Sequence, residues 1–263
     1  MQYRDVVCHQ ALKAITRPDL LFHGDYTVDP YQQCALGCGY CDSPNDVVDV
    51  KINIAEVLNR ELPHVPSGRV ILGSVHDPYQ PIEETTKLSR EVLMVLRDHG
   101  FSCHVLTKSP LIVRDLDVLT SFDCMVTVSL LSVDPMLAEV FEPCVASPQD
   151  RLTLVRTLRD AEVITGVALI PFLPILAEPN LEATVEAASD AAASFLIVKH
   201  LELKGEQRDK FFGMLQKYYP EVIGQYQLWY KDAISLSQTN QHRLERTVKD
   251  LCKKHRVQYG LSR

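Results

Sequence analysis

An α/β fold of the open, partial (β/α)6 barrel type, with parallel strands and a helical C-terminal extension, is what this 263-residue sequence predicts. Six short apolar runs alternate with segments whose apolar residues recur at helical spacing, and that alternation implies βαβ units and a parallel sheet. Six runs are too few for a closed eight-stranded barrel. The runs also end in polar residues, and in parallel α/β folds function sits at the C-terminal ends of the strands.

Residues 1–20 form a mixed lead-in. Residues 23–30 alternate enough for a first short strand, which delivers the chain into a cysteine-rich loop ended by Pro44 and Asn45. Ile54, Val57, Leu58 and Leu62 mark a helix over residues 52–62, stopped by Pro63 and Pro66. Residues 70–75 are mostly apolar, as in a strand buried on both faces. A helix over 83–99 follows, with Leu88, Val92, Leu93, Val95 and Leu96 as its inner stripe and Gly100 as its stop. Strands at 103–107 and 124–130 flank a short helix at 111–122. A helix at 149–161 precedes a strand at 163–170, closed by Pro171 and Pro174. An Ala-rich helix at 180–193 leads to the sixth strand, 195–201. From about 205 the chain reads as helical, ending in a basic helix at 239–255. No repeat, low-complexity stretch or linker interrupts it, so residues 1–204 read as the barrel core and 205–263 as a helical extension packed on the same domain.

Composition narrows the class. Hydrophobic residues make up 46% and charged residues 23%, as in an ordinary globular protein. No stretch approaches the roughly 18 consecutive apolar residues of a membrane helix, and residues 1–5 lack an apolar signal core, which predicts a cytoplasmic protein with no membrane partner. The net charge of −7 gives no overall field for nucleic acid. Residues 239–263 run the other way, with seven Lys or Arg against two acids, which fits either phosphate contacts or a solvated helix face.

The most informative stretch is Cys34-Ala35-Leu36-Gly37-Cys38-Gly39-Tyr40-Cys41, in which three of the eight cysteines are spaced C-x3-C-x2-C. Close spacing lets several thiolates converge on one iron–sulfur cluster, and three ligands leave one iron of a [4Fe–4S] cluster open. Glycine at 37 and 39 suits a loop that folds sharply. A structural zinc site is the alternative, with Cys8, His9, His23 or Asp42 as fourth ligand, although paired C-x2-C or Cys2His2 signatures are absent.

Polar residues stand at the strand ends: Ser74, His76 and Asp77 after the second, Lys108 after the third, and Ser129 on the fourth. Lys108 suits a carboxylate, and Ser129 and Asp77 suit amino or hydroxyl groups. The plain alternatives are a snorkelling surface lysine and a buried hydroxyl bonded to backbone.

The cysteine spacing resembles the signature of the radical SAM superfamily. Further segments resemble its spore photoproduct lyase-like branch: Val28-Asp29-Pro30-Tyr31, Asp77-Pro78-Tyr79-Gln80-Pro81-Ile82-Glu83, Thr107-Lys108-Ser109, Arg114-Asp115 with Leu119, Phe141-Glu142-Pro143, and Arg151-Leu152. The resemblance runs from about residue 10 to about residue 200. It implies that Cys34, Cys38 and Cys41 hold a [4Fe–4S] cluster whose open iron chelates S-adenosylmethionine. It also implies that Tyr40 packs near the adenine or the radical, and that His76, Asp77, Lys108 and Ser129 contact the cofactor.

Two departures from the branch stand out. Ser74 occupies the place of a hydrogen-donating cysteine, and Asp42 that of a relay tyrosine. Both point to another substrate, with the reaction at the barrel mouth near Ser74, Asp42 and Tyr79. Cys103 and Cys124 read as core residues, whereas Cys144 lies in a loop. The activity implied is reductive cleavage of S-adenosylmethionine to a 5′-deoxyadenosyl radical that abstracts hydrogen from a substrate. An electron donor such as flavodoxin or ferredoxin would supply the electron. The alternatives are a DNA photolesion lyase or other nucleic-acid-modifying radical enzyme, and a non-catalytic zinc- or cluster-binding protein.

Overall fold

A computed structural model describes residues 1–41 and 47–261. Within them the chain opens with β1 (Gln2–Val6), β2 (Lys13–Ala14), β3 (Tyr26–Val28), β4 (Tyr31–Gln32) and β5 (Val47–Lys51). It continues through α1 (Ile54–Glu61), β6 (Arg69–Leu72), α2 (Glu83–Thr86), α3 (Leu88–Asp98), β7 (Ser102–Thr107) and α4 (Leu116–Leu119). Next come β8 (Cys124–Ser129), α5 (Pro135–Phe141), α6 (Pro148–Asp160), β9 (Ile164–Phe172), α7 (Leu181–Asp190) and β10 (Phe195–His200). The last elements are α8 (Gly205–Tyr218), α9 (Ile223–Tyr230), α10 (Gln238–Lys254) and β11 (Gln258–Tyr259).

Among the described residues the main sheet has eight strands in the order β11-β10-β9-β8-β7-β6-β3-β2. From β3 to β11 every neighbouring pair is parallel, and only the edge pair β2–β3 is antiparallel. The six expected strands are β3, β6, β7, β8, β9 and β10, and their order does not close on itself, so the barrel is partial and open. Val70, Leu72, Val105, Val126, Val128, Val167, Leu169 and Leu196 are buried, which is why these strands read as near-continuous apolar runs. Among the described residues no helix is long and apolar enough to cross a membrane.

The differences from the sequence reading have local causes. The helix expected at 83–99 is two helices, because Lys87 adopts a left-handed conformation at φ 55°. The buried Glu83 carboxylate then accepts the Ser89 backbone N–H of α3 at 2.9 Å. The segment at 111–122 begins as a 3-10 turn, Pro110–Asp115, before α4. Helix α5 was not anticipated, although Asp134 caps it by accepting from the Met136 N–H at 2.9 Å and Pro135 supplies its first turn. Strand β9 runs past Pro171 to Phe172. The lead-in contributes β1, which pairs in parallel with β5, and β5 pairs antiparallel with β4. β1 is exposed along most of its length and lacks the apolar alternation by which a strand is recognised.

The barrel interior is polar and aromatic at mid-height. His104 lies 2.6 Å from the Thr127 hydroxyl, and the rings of Phe22 and Phe195 meet it edge-on. Gly166 leaves room for Phe195, because a Cβ there would lie 2.2 Å from the ring. Burial pushes the His104 imidazole down to about 3. Its ordinary value is 6.5, so the folded protein binds this proton less readily than the unfolded chain does. The neutral side chain therefore contributes its full stability above pH 6.5 and loses it as pH falls toward 3. Urea unfolding across this window is expected to show a shallower pH dependence in His104→Gln than in the parent; equal slopes would contradict a neutral, buried imidazole.

Candidate active site

The cysteine loop is clamped from four sides. The antiparallel pairing of β4 with β5 brings its two ends together. From the loop after β6, the fully buried Gln80 accepts the Ala35 N–H at 3.0 Å and donates to the Gln33 carbonyl at 3.2 Å. From α5, the Phe141 carbonyl accepts the Gly39 N–H at 2.7 Å. From α8, Lys210 donates to the Cys38 carbonyl at 3.0 Å and Gln207 donates to the Tyr40 carbonyl. Gly39 leaves room for Met214, since a Cβ there would lie 2.2 Å from its sulfur and either that side chain or the loop would have to shift. Gly37 sits at φ +65°, which favours glycine for backbone reasons alone.

Cys34, Cys38 and Cys41 therefore share one fixed loop, with Cys38 buried and the other two half-buried. Burial pushes the Cys34 thiol up to about 11 and the Cys38 thiol up to about 12, with Lys108 pulling both down. Such thiols stay protonated at neutral pH until a metal displaces the proton. Among the described residues no three His, Cys, Asp or Glu side chains converge as ligands of one metal ion. A cubane cluster makes a different demand: each thiolate meets a different iron, so the three sulfurs frame the cluster instead of meeting at one point. Three thiols on one clamped loop fit that demand.

Beside the loop, a cavity of about 340 Å³ opens at the C-terminal ends of the strands. Tyr40, Cys41, Ser74, His76, Asp77, Lys108 and Ser129 all line it, so the structure brings the described site candidates together. Asp42 lies outside the described residues. Lys108 donates to the Ser129 hydroxyl at 3.0 Å. Burial lowers the proton affinity of this ammonium, but the carboxylates of Glu142 and Asp77 help to outweigh burial and raise it overall, so Lys108 is a cation. The Ser129 hydroxyl in turn donates to the Ile170 carbonyl at 3.3 Å.

The remaining candidates have partners within the protein. The Asp77 carboxylate accepts from the Thr107 hydroxyl at 2.7 Å, the Lys108 N–H at 2.7 Å and the Tyr79 N–H at 2.9 Å. It therefore fixes the turn that carries Lys108. Tyr40 donates its hydroxyl to Glu142, and burial raises its proton affinity, so it remains a phenol. Ser74 is exposed at the lip and donates to the Asp29 carboxylate at 3.1 Å.

Several functional contacts were not found in the sequence. Glu142 is ion-paired at 2.6 Å with Arg151, which also donates to the Ser129 carbonyl at 2.9 Å. Both side chains are at most 1% exposed, so the pair joins the cysteine loop to the end of β8 inside the core. His200 ends β10 at a shift in its register with β9, lines the cavity, and has a buried Nδ1 without a partner. The rule that polar residues mark strand ends applies to it as well. Cys144 is exposed and lines a separate cleft with Leu36 and Lys108, whereas Cys103 and Cys124 are buried. The other segments that carry the branch resemblance meet beneath the site. Arg114 pairs with Glu83 at 2.6 Å and with Asp115 at 2.9 Å, Tyr31 donates to Glu83, and Tyr79 donates to Asp115 at 2.9 Å.

Comparison with known proteins agrees with this geometry. Residues 28–188 match the family model described as the radical SAM superfamily. An uncharacterized protein of Mycobacterium tuberculosis is 30% identical over 97% of this chain and 81% of its own length. An uncharacterized protein of Methanocaldococcus jannaschii is 26% identical over 74% of this chain and 77% of its own length. Spore photoproduct lyase complexed with dinucleoside spore photoproduct superposes with a TM-score of 0.74 at 15% identity, covering 98% of this chain and 81% of that one. Streptococcus suis SuiB bound to S-adenosylmethionine superposes with a TM-score of 0.59 at 10% identity, covering 90% of this chain and 50% of that one. At these identities the likeness to the solved structures is one of fold.

The packing of Met214 on Gly39 makes a specific prediction. Gly39→Ala is expected to displace the cysteine loop and lower the iron and sulfide bound after anaerobic reconstitution by more than half. Gly39→Ala with Met214→Ala should restore most of it, because the second change vacates the space the new methyl needs. Failure of the double variant to recover would mean that the Gly39 constraint lies in the backbone.

Proposed function

The chain belongs to the radical SAM superfamily, and on that premise we propose that it is an enzyme whose Cys34, Cys38 and Cys41 hold a [4Fe–4S] cluster with one iron left to S-adenosylmethionine. When bound, the cluster and cofactor supply a one-electron cleavage of the sulfonium that yields methionine and a 5′-deoxyadenosyl radical, which takes a hydrogen atom from the substrate. The observation that carries the reading is the juxtaposition of three thiols on one clamped loop with the Lys108 ammonium in the adjoining cavity. We read residues 1–204 as the core that performs this chemistry and 205–263 as a helical extension on the same domain.

The protein's own residues position and neutralise. Lys108 faces the cavity as a cation suited to the cofactor carboxylate, and Ser129 beside it offers a hydroxyl to the amino group or ribose. Asp77 holds the Lys108 backbone, so its part is to position that cation. Tyr40 buttresses the loop through Glu142, and His76 forms part of the cavity wall.

Substrate enters at the lip, where Ser74 and Asp29 are hydrogen-bonded. Serine has no weak S–H bond, so a hydrogen atom cannot be returned from this position as a thiol would return it. The substrate is therefore read as something other than a thymine photolesion repaired by thiol hydrogen return. An electron donor of the flavodoxin or ferredoxin kind completes the system.

Anaerobic reconstitution followed by strong chemical reduction tests the reading. The parent and Cys252→Ala should release 5′-deoxyadenosine, and Cys38→Ala should release none. Removing the cation in Lys108→Met should weaken S-adenosylmethionine binding about ten- to hundredfold, the worth of one hydrogen bond to a charged group. A colourless, sulfide-free parent that leaves the cofactor intact would end the proposal.

A further inference from the structure

Helices α5 and α8 leave a shallow cleft of about 840 Å³ that shares no lining residue with the cavity. Its floor is Met214, whose sulfur rests on Gly39 between two of the cluster cysteines. Also on α8, Lys210 donates to the Cys38 carbonyl at 3.0 Å. Two turns further along the same helix, the Lys217 ammonium stands 4.6 Å from the centre of the Tyr218 ring. Tyr218 is 46% exposed, and on α5 Met136, one helical turn from the lining residue Val140, is 71% exposed. A chain of net charge −7 thus presents here an apolar patch with two lysines and one acid, Glu139, behind the residues that would grip the cluster.

We propose that this cleft is the docking surface for the protein that reduces the cluster, an acidic one-electron carrier with a flavin or iron–sulfur centre near its surface. The inference rests on the radical SAM reading, because only a cluster in the Cys34–Cys41 loop needs an electron delivered there. In each delivery the carrier is oxidised by one electron and the cluster reduced by one.

Three features fit that occupant. Electron transfer requires a short path, and the cleft-lining Met214 and Lys210 both touch the cysteine loop, at Gly39 and at the Cys38 carbonyl. Encounters between redox proteins bury little area, so a small apolar patch suffices. Lysines beside the patch attract an acidic partner and speed its approach, while leaving the contact weak enough to release the spent carrier. The cleft and the substrate cavity share no lining residue, so donor and substrate do not compete for one entrance.

The test uses the reconstituted protein, oxidised flavodoxin or ferredoxin as binding probe, and Lys217→Glu beside Lys253→Glu, an equal charge reversal on the distant α10. Lys217→Glu is expected to weaken carrier binding about tenfold and to flatten its salt dependence, while Lys253→Glu leaves both near the parent values. Flavodoxin-driven release of 5′-deoxyadenosine should fall in step with binding, and the dithionite-driven rate should stay unchanged because dithionite needs no docking site. Equal weakening by both variants, unchanged binding in Lys217→Glu, or a parent that binds neither carrier would overturn the proposal. A parent that fails with dithionite too would instead count against the radical SAM reading itself.

Discussion

The site depends on a guanidinium–carboxylate pair sealed in the core. Arg151 and Glu142 meet at 2.6 Å with almost no exposure. Each would be a buried uncompensated charge without the other, a penalty of about 3–5 kcal/mol. Their remaining hydrogen-bonding capacity is what makes them useful. Arg151 holds the backbone carbonyl of Ser129, and Glu142 receives the Tyr40 hydroxyl. One ion pair thus fixes the cysteine loop against the strand that carries a candidate cofactor contact. Hydrophobic packing of the same volume could fill this space, but it would not set the register of loop against strand.

The same pair shapes the charge of the cavity. Lys108 sits among Glu142 and Asp77, which favour its ammonium, and Arg151, which opposes it. The acids win, so the cation persists despite burial. Asp77 holds the backbone of the same residue, so charge and position are controlled from one carboxylate. Beneath it, Glu83, Arg114 and Asp115 form a second buried network that ties the loop after β6 to the segment after β7. The residues that carried the branch resemblance are mostly these supports, and among them Asp77, Thr107 and Lys108 reach the cavity.

Strand positions were legible because two-sided burial leaves an unmistakable apolar run, as in Val126 and Val128 of β8 or Val167 and Leu169 of β9. The cysteine spacing was legible because its chemistry is local in sequence. β1 was not, since its exposed residues are held by pairing with β5 some 45 positions away and carry no pattern of their own. The break at Lys87 depends on a carboxylate reaching Ser89 from outside the helix, a tertiary contact that helical periodicity cannot report. The Asp77 side chain pointed toward a ligand when read as a strand-end acid. In the fold, Thr107, Lys108 and Tyr79 occupy its oxygens, contacts that lie up to 31 positions away and carry no mark in the sequence.

The grip of α8 on the cysteine loop spans a long stretch of chain: Gln207 and Tyr40 are 167 positions apart, and Lys210 and Cys38 are 172. During synthesis the three thiols leave the ribosome long before the helix that restrains their carbonyls exists. A half-made chain therefore offers a loose, solvent-accessible trio that is open to oxidation or to adventitious metals. On the proposed reading, a cluster is best loaded into the finished polypeptide, and maturation factors would meet a receptive loop only after translation has passed α8.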